Sequence, residues 1–349
     1  PPVEGLHDVE YWTTREATSA RAVPARLAVL GGGVAGVELA QAYARLGSSV
    51  TLVARGGLLG VFPEQAADLV AAGLRADGVA LRLHTGTRSV HENDDGSLTV
   101  VLDGSPKDGP GAGPAAGAAP GATITADKLL VSTGRHPALE GLGLDSVGLT
   151  APEGGTLRLT TDSTGLVHHA TGNDVSGTPW LYAAGDAAGR AMLTHQGKYG
   201  ARATGDAIAA RAKGELSGEP APWSRFAQTA YEHAVPNVVF TDPELANVGR
   251  TIAQAEKDGF RASAVELPIQ VAGSSLHAEH YEGWAQLVID EDRQVLLGAT
   301  FAGPDVAELL HAATIAVVGE VPLDRLWHAV PSYPTISEVW LRLLEEYGL

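Results

Sequence analysis

A glycine-rich turn between a strand and a helix constrains this chain more than any other stretch. Residues 27–30 form a short apolar run with the β-branched Val29 inside it, the pattern of a strand buried on both faces. The run leads into Gly31, Gly33 and Gly36 in G-x-G-x-x-G order. Helical spacing follows through Glu38, Leu39, Ala42, Tyr43 and Leu46 and stops at Gly47, and a second strand is expected over 49–53. The first glycine permits a tight turn, the second lets backbone approach a pyrophosphate, and the third lets helix and strand pack closely. The open helix end then offers N–H donors to phosphates. The stretch predicts a dinucleotide site on an α/β fold.

Composition narrows the partners. The 349 residues leave room for two or three domains, and 44% hydrophobic content can fill their cores. A formal charge of −17 disfavours nucleic acid and anionic membrane surfaces, which both want a basic face. No apolar run approaches the roughly 18 residues of a membrane span, and no signal peptide is visible. The chain has no cysteine, so it offers neither disulfides nor a thiol step of its own. A soluble, cytoplasmic protein with small-molecule ligands and no metal centre is the expectation.

Taken in order, residues 1–22 show no periodic core pattern, although 11–16 suggest a loop entering a helical turn. Beyond Val53 the acidic residue that would hold a ribose 2′-OH is replaced by Ala54, and Arg55 follows. A guanidinium there can pair with a 2′-phosphate and favour NADPH, or it is a surface arginine at a strand end. A helix is expected over 65–77, with Ala66, Leu69, Val70, Gly73 and Leu74 facing inward. Strands are expected over 79–83, 87–90 and 98–102. Residues 103–121 are too rich in Gly, Pro and Ala to fill a core and read as a flexible exposed loop within a domain. A strand over 128–132 ends in the turn Thr133-Gly134-Arg135-His136-Pro137.

The strand expected over 180–183 runs into Ala184-Gly185-Asp186, where Asp186 can accept from a ribityl or ribose hydroxyl or cap the residues after it. Leu193, Thr194 and His195 open a long helix reaching Ala210. A linker over 214–220 precedes strands at 237–240, 262–267, 283–290 and 295–302, then helices at 305–318, 323–327 and 337–346. Strands followed by helices describe an α+β domain.

The motifs from Gly31 to Glu38, from Ser132 to Pro137, at Ala184-Gly185-Asp186, from Val238 to Glu244 with Val248-Gly249, and from Pro334 to Glu338 occur in one order along the chain. In this the chain resembles the pyridine nucleotide–disulfide oxidoreductases, among them dihydrolipoamide dehydrogenase, glutathione reductase and mercuric reductase. The resemblance implies Rossmann-like FAD- and NAD(P)-binding domains followed by an α+β dimerisation domain, with hydride passing from NAD(P)H to flavin. It divides the chain into an FAD-domain remnant or linker at 1–22, the NAD(P) domain at 23–138, a C-terminal FAD segment at 139–220 and the interface domain at 221–349. A homodimer is implied. Glu38 would lie near the flavin–nicotinamide contact and Asp186 on the ribityl side of FAD. Val34, Ala35, Gly134, Arg135, Gly185, Leu193, Thr194 and His195 would also contact the cofactors.

Two departures shape the functional expectation. In the family's order a first FAD fingerprint and a redox cysteine pair would precede Pro1, so the chain reads as a fragment or as one whose other half comes from another polypeptide. The family's acid–base histidine, directly before Pro-Thr and paired with a glutamate, is here Tyr333, with Glu338 retained. A phenol with a reference pKa near 10 is a poor general base at neutral pH. His328 is the nearby imidazole, at a spacing that suits packing beside Trp327 better. The expected function is therefore an NAD(P)H oxidoreductase that passes electrons to a quinone or another small acceptor. A disulfide reductase with an altered proton donor, and a catalytically silent dimerising fragment, are the alternatives.

Overall fold

The computed structural model describes residues 2–104, 119–168 and 179–349. Most of the loop expected over 103–121 lies outside the described residues. The chain divides into two compact units, one formed by 1–134 with 236–349 and the other by 135–235.

In the first unit, helix α1 (Thr14–Ser19) is opened by a capping box between Thr13 and Glu16. Strand β1 (Arg26–Leu30), helix α2 (Val34–Arg45), strand β2 (Ser49–Val53), helix α3 (Glu64–Ala76) and strand β3 (Ala80–Arg82) follow. Strands β4 (Gly86–Glu92), β5 (Leu98–Gly104) and β6 (Thr123–Ala126) make an antiparallel sheet, and β7 (Lys128–Val131) returns to the first. That first sheet is parallel, in the order β3-β2-β1-β7. Alternation along β1 sorts its side chains: Leu27 and Val29 pack with Val37, Ala40, Val70 and Leu74 of α2 and α3, whereas Ala28 and Leu30 pack with Val90, Val100 and Leu102 of the antiparallel sheet. Covering both faces accounts for the unbroken apolar run.

The amino-terminal stretch is less idle than its pattern implies. Leu6 is 2% exposed, Trp12 bridges to Leu130, and the buried Tyr43 hydroxyl donates to the Ala17 carbonyl at 2.7 Å. Residues of this stretch thus pack against the sheets of the first unit.

The second unit contains helices α4 (Thr194–Ala212) and α5 (Ala230–His233) and a small core of Val167, Ala183 and Ala188. The strand expected over 180–183 is reduced to a single bridge between Tyr182 and Leu166. Gly200, Ala203, Ala207 and Ala210 form the buried stripe of α4.

The chain then re-enters the first unit with β8 (Asn237–Val239), β9 (Glu244–Gly249), α6 (Ile252–Lys257), β10 (Ala262–Pro268), α7 (Ala272–His277), β11 (Trp284–Asp290), β12 (Val295–Gly303), α8 (Leu310–Val318), α9 (Leu323–Leu326) and α10 (Val339–Tyr347). The five strands are antiparallel in the order β10-β11-β12-β9-β8. Every residue of β11 and β12 is buried. The buried Asn247 stays satisfied by donating to Thr300 Oγ1 at 2.8 Å and to the Ala299 carbonyl at 3.1 Å. This sheet packs on α2 and α3 through Val239, Leu245, Trp284 and Ala302. Gly73 is required there, because a Cβ would lie 2.3 Å from the Asp242 carbonyl oxygen. The units divide at 134/135 and 235/236, against the expected 138/139 and 220/221. Among the described residues no helix is long and apolar enough to cross a membrane.

Candidate functional site

Strands β1, β2 and β7 end together, on the side of a parallel sheet where ligands bind. Gly31 hangs its N–H on the Val53 carbonyl at 2.9 Å and takes φ +120°, a conformation strained for any residue with a side chain. A Cβ at Gly36 would meet the Gly31 carbonyl oxygen at 2.1 Å, so helix α2 reaches the turn only because position 36 is bare. Gly33 differs: nothing lies within 4 Å of its missing Cβ. It is also the N-cap of α2 and makes no side-chain cap bond. The first turn, with Val34 and Ala35, therefore presents its amides to the open space above Gly33.

That space is a cleft of about 570 Å³. Of the expected cofactor residues Gly31, Gly33, Arg55 and Gly134 line it, with Gly32 between the first two. Ala54 is buried at its edge. Arg55 is exposed and has no ion-pair partner among the described residues. Thr85, Gly86, Thr87 and Asp103 are also among its lining residues. Sequence reasoning missed these, because they come from an edge strand and a bulged hairpin that carry no motif.

Glu38, one turn into α2, is half-buried and accepts the Phe240 N–H at 2.8 Å. Next to it Gln41, 4% exposed, accepts the Asp242 N–H and donates to the Asp242 carbonyl and the Asp77 carboxylate.

The second unit holds the other expected cofactor residues. Arg135 donates to the Met192 carbonyl at 2.8 Å. Gly185, with φ +64°, opens a single 3-10 turn. It lies close to Gly197 on the first turn of α4, the bare Cα of each filling the space beside the other. Asp186 sits inside that turn, exposed, and its carboxylate has no hydrogen-bond partner among the described residues. The N-cap is Ala184, so the capping role for Asp186 is not realised. Helix α4 begins after Leu193, again without a side-chain cap, and Thr194 and His195 are exposed on its first turn. A carboxylate beside an uncapped helix start can take hydroxyls at one point and an anionic or electron-rich group at the next.

Tyr333 and Glu338 are not brought into a catalytic pair. Tyr333 is 78% exposed. Glu338 Oε1 accepts from Arg342 one helical turn away at 2.7 Å, while its Oε2 is enclosed with no donor. His328 is exposed at the surface.

A parallel sheet with a glycine turn, an uncapped helix start and an adjoining antiparallel domain defines a Rossmann-type fold. The chain belongs to the pyridine nucleotide-disulphide oxidoreductase family: residues 1–201 match the family's main domain and residues 235–343 its dimerisation domain. Mercuric reductase of Shigella flexneri is 32% identical over 97% of the chain and 53% of its own length. Dihydrolipoyl dehydrogenase of Haloferax volcanii is 29% identical over 97% of the chain and 63% of its own. The chain thus spans less than two thirds of these curated relatives. Among solved structures, the flavoprotein disulfide reductase RclA of Escherichia coli shares the fold with a TM-score of 0.75 at 23% identity, over 99% of this chain and 69% of that one. LpdA of Mycobacterium tuberculosis gives 0.73 at 25% identity, over 97% and 64%.

Proposed function

We propose that this chain serves an FAD-dependent NAD(P)H oxidoreductase that delivers electrons to a quinone or another small acceptor and not to a disulfide. The observation that carries this reading is the environment of Tyr333. Disulfide reduction needs a group that takes a proton from one thiol and returns it to the other sulfur near neutral pH. At that place the chain has an exposed phenol, and the glutamate that would orient an imidazole is held by Arg342. Quinone reduction makes no such demand on the chain.

The residues present fit both cofactors in part. The turn at Gly31–Gly33 and the first amides of α2 would hold the NAD(P)H pyrophosphate, and Arg55 would face the adenosine ribose. Gly185, Asp186 and the start of α4, with Leu193, Thr194 and His195, would hold FAD along its ribityl and ring side. Bound FAD supplies a two-electron acceptor that can return electrons singly or in pairs. By the resemblance Glu38 would lie near the flavin–nicotinamide contact, and its carboxylate accepts the Phe240 N–H. The reading includes a soluble, cytoplasmic homodimer with an isologous interface, supported by Phe240 at 71% and Ile315 at 56% exposure.

The deciding experiment uses flavin-loaded protein, assayed with NAD(P)H against a quinone and against lipoamide or glutathione disulfide. Quinone turnover is expected, with negligible disulfide turnover. Tyr333→Phe should hold the quinone rate within about tenfold, the loss of at most one modest hydrogen bond. Robust disulfide turnover that collapses in Tyr333→Phe would instead establish a disulfide reductase with an altered proton donor. A folded protein that binds nucleotide and turns over neither acceptor would be a silent dimerising module.

A further inference from the structure

The cleft above Gly33 has one wall that neither the phosphates nor the ribose explains. A dinucleotide runs in fixed covalent order from pyrophosphate to ribose to base. With the pyrophosphate over Gly31–Gly33 and the ribose at the end of β2, the base must lie farther along the cleft. The lining beyond these positions includes Thr85, Gly86, Thr87 and Asp103, together with Pro2 and Val3. It is tied directly to the ribose corner: the Thr85 N–H donates to the Ala54 carbonyl at 2.9 Å and the His84 N–H to the Gly56 carbonyl at 3.0 Å.

Asp103 is the anionic side chain on this wall. The register between β4 and β5 slips twice there, pairing Gly86 with Gly104 and Thr87 with Leu102, so Asp103 falls in the irregularity without a cross-strand partner. Its Oδ1 accepts from Arg88 Nε at 3.1 Å. Its Oδ2 has no donor among the described residues and lies 2.6 Å from where a Cβ on Gly86 would stand. The bare position 86 is thus what leaves room for this oxygen at the cleft wall. An ionised carboxylate only accepts hydrogen bonds. Opposite a purine it welcomes a 6-amino group and is repelled by a 6-oxo group.

We propose that Asp103 reads the base of the bound dinucleotide, accepting the 6-amino group of adenine and discriminating against 6-oxo purines. This rests on the reading of the cleft as the NAD(P)H site. Calorimetric titration of the full chain with NADH and with reduced nicotinamide hypoxanthine dinucleotide tests it without requiring flavin or turnover. NADH should bind about tenfold more tightly, the worth of a charge-assisted hydrogen bond at a half-exposed site. Asp103→Asn, whose amide both donates and accepts, should bring the two affinities within about twofold of each other. If both ligands bind wild type equally, the base assignment falls and the cleft remains a dinucleotide site. If neither binds, the parent reading falls and takes this one with it.

Discussion

The carboxylate of Glu38 accepts the backbone N–H of Phe240 at 2.8 Å, joining residues 202 positions apart. Gln41, on the same face of α2, grips Asp242 from both sides, and Arg45 reaches the Asp242 carboxylate at 2.7 Å. One helix therefore carries the glycine turn at its start and the antiparallel domain along its flank. Gln41→Leu should destabilise the protein by about 1–3 kcal/mol, because the Asp242 amide loses its acceptor and Asp77 a buried donor. A thermal melt beside wild type measures it. An unchanged melting temperature would mean that the apolar packing of Val239 and Leu245 holds the domain unaided.

The glycines of the fingerprint should separate by phenotype. Gly36→Ala forces a Cβ to within 2.1 Å of the Gly31 carbonyl oxygen and should lower stability and abolish NAD(P)H binding together. Gly33→Ala has open space, so the fold should melt as wild type while nucleotide affinity falls at least tenfold through loss of close backbone approach. Melting and ligand titration of both variants decide the matter, and equal stability losses would contradict the geometry.

Arg55 supplies the next test. Ala54 removes the carboxylate that would repel a 2′-phosphate, and Arg55 on the cleft wall is without an ion-pair partner among the described residues. NADPH should bind more tightly than NADH by about 1.5–3 kcal/mol, and Arg55→Ala should erase the difference. A preference that survives the mutation would assign Arg55 to the surface alone.

Acid should act on the β11–β12 turn. Burial alone would raise the Asp290 pKa, but hydrogen bonds from the Arg293 side chain and from the Asp292 and Arg293 amides outweigh it and hold the carboxyl below the ordinary aspartate value. A pKa depressed on folding gives stability that is complete above about pH 4 and lost as pH falls through the folded value. Asp290→Asn should be less stable than wild type at pH 7, with the gap closing as pH falls through the folded value. Parallel melts over that range provide the measurement, and a gap that widens in acid would reverse the sign.

The parts legible in the sequence are those whose cause is local. The turn at Gly31–Gly36 announces itself because Gly31 and Gly36 answer nearby steric demands, and α3 because Ala66, Val70 and Leu74 repeat at helical spacing. Strand β9 is not visible as a strand: in ELANVG, Asn247 occupies a buried place through its bonds to Thr300 and Ala299 on a strand some fifty residues later. Leu6 and Trp12 are single anchors with no period. Asp103 carries no motif, and its position depends on a register slip. The pairing of Glu338 with Arg342 follows ordinary i,i+4 spacing, yet the family resemblance draws attention to Tyr333 instead.

The discontinuity of the first unit sets an order of events during synthesis. The faces of α2 and α3 that receive Trp284 and Ala302 leave the ribosome well before those residues exist. At about 5–20 residues per second, the roughly 200 residues between them take about 10–40 s to make. Throughout that interval the flank of α2 and α3 that Trp284 and Ala302 cover in the folded protein lacks that part of its antiparallel sheet, although Val70 and Leu74 already have β1 to pack on. A nascent chain of this protein therefore carries an uncovered apolar helical surface for far longer than helices take to form, and it should engage holding chaperones until β12 emerges.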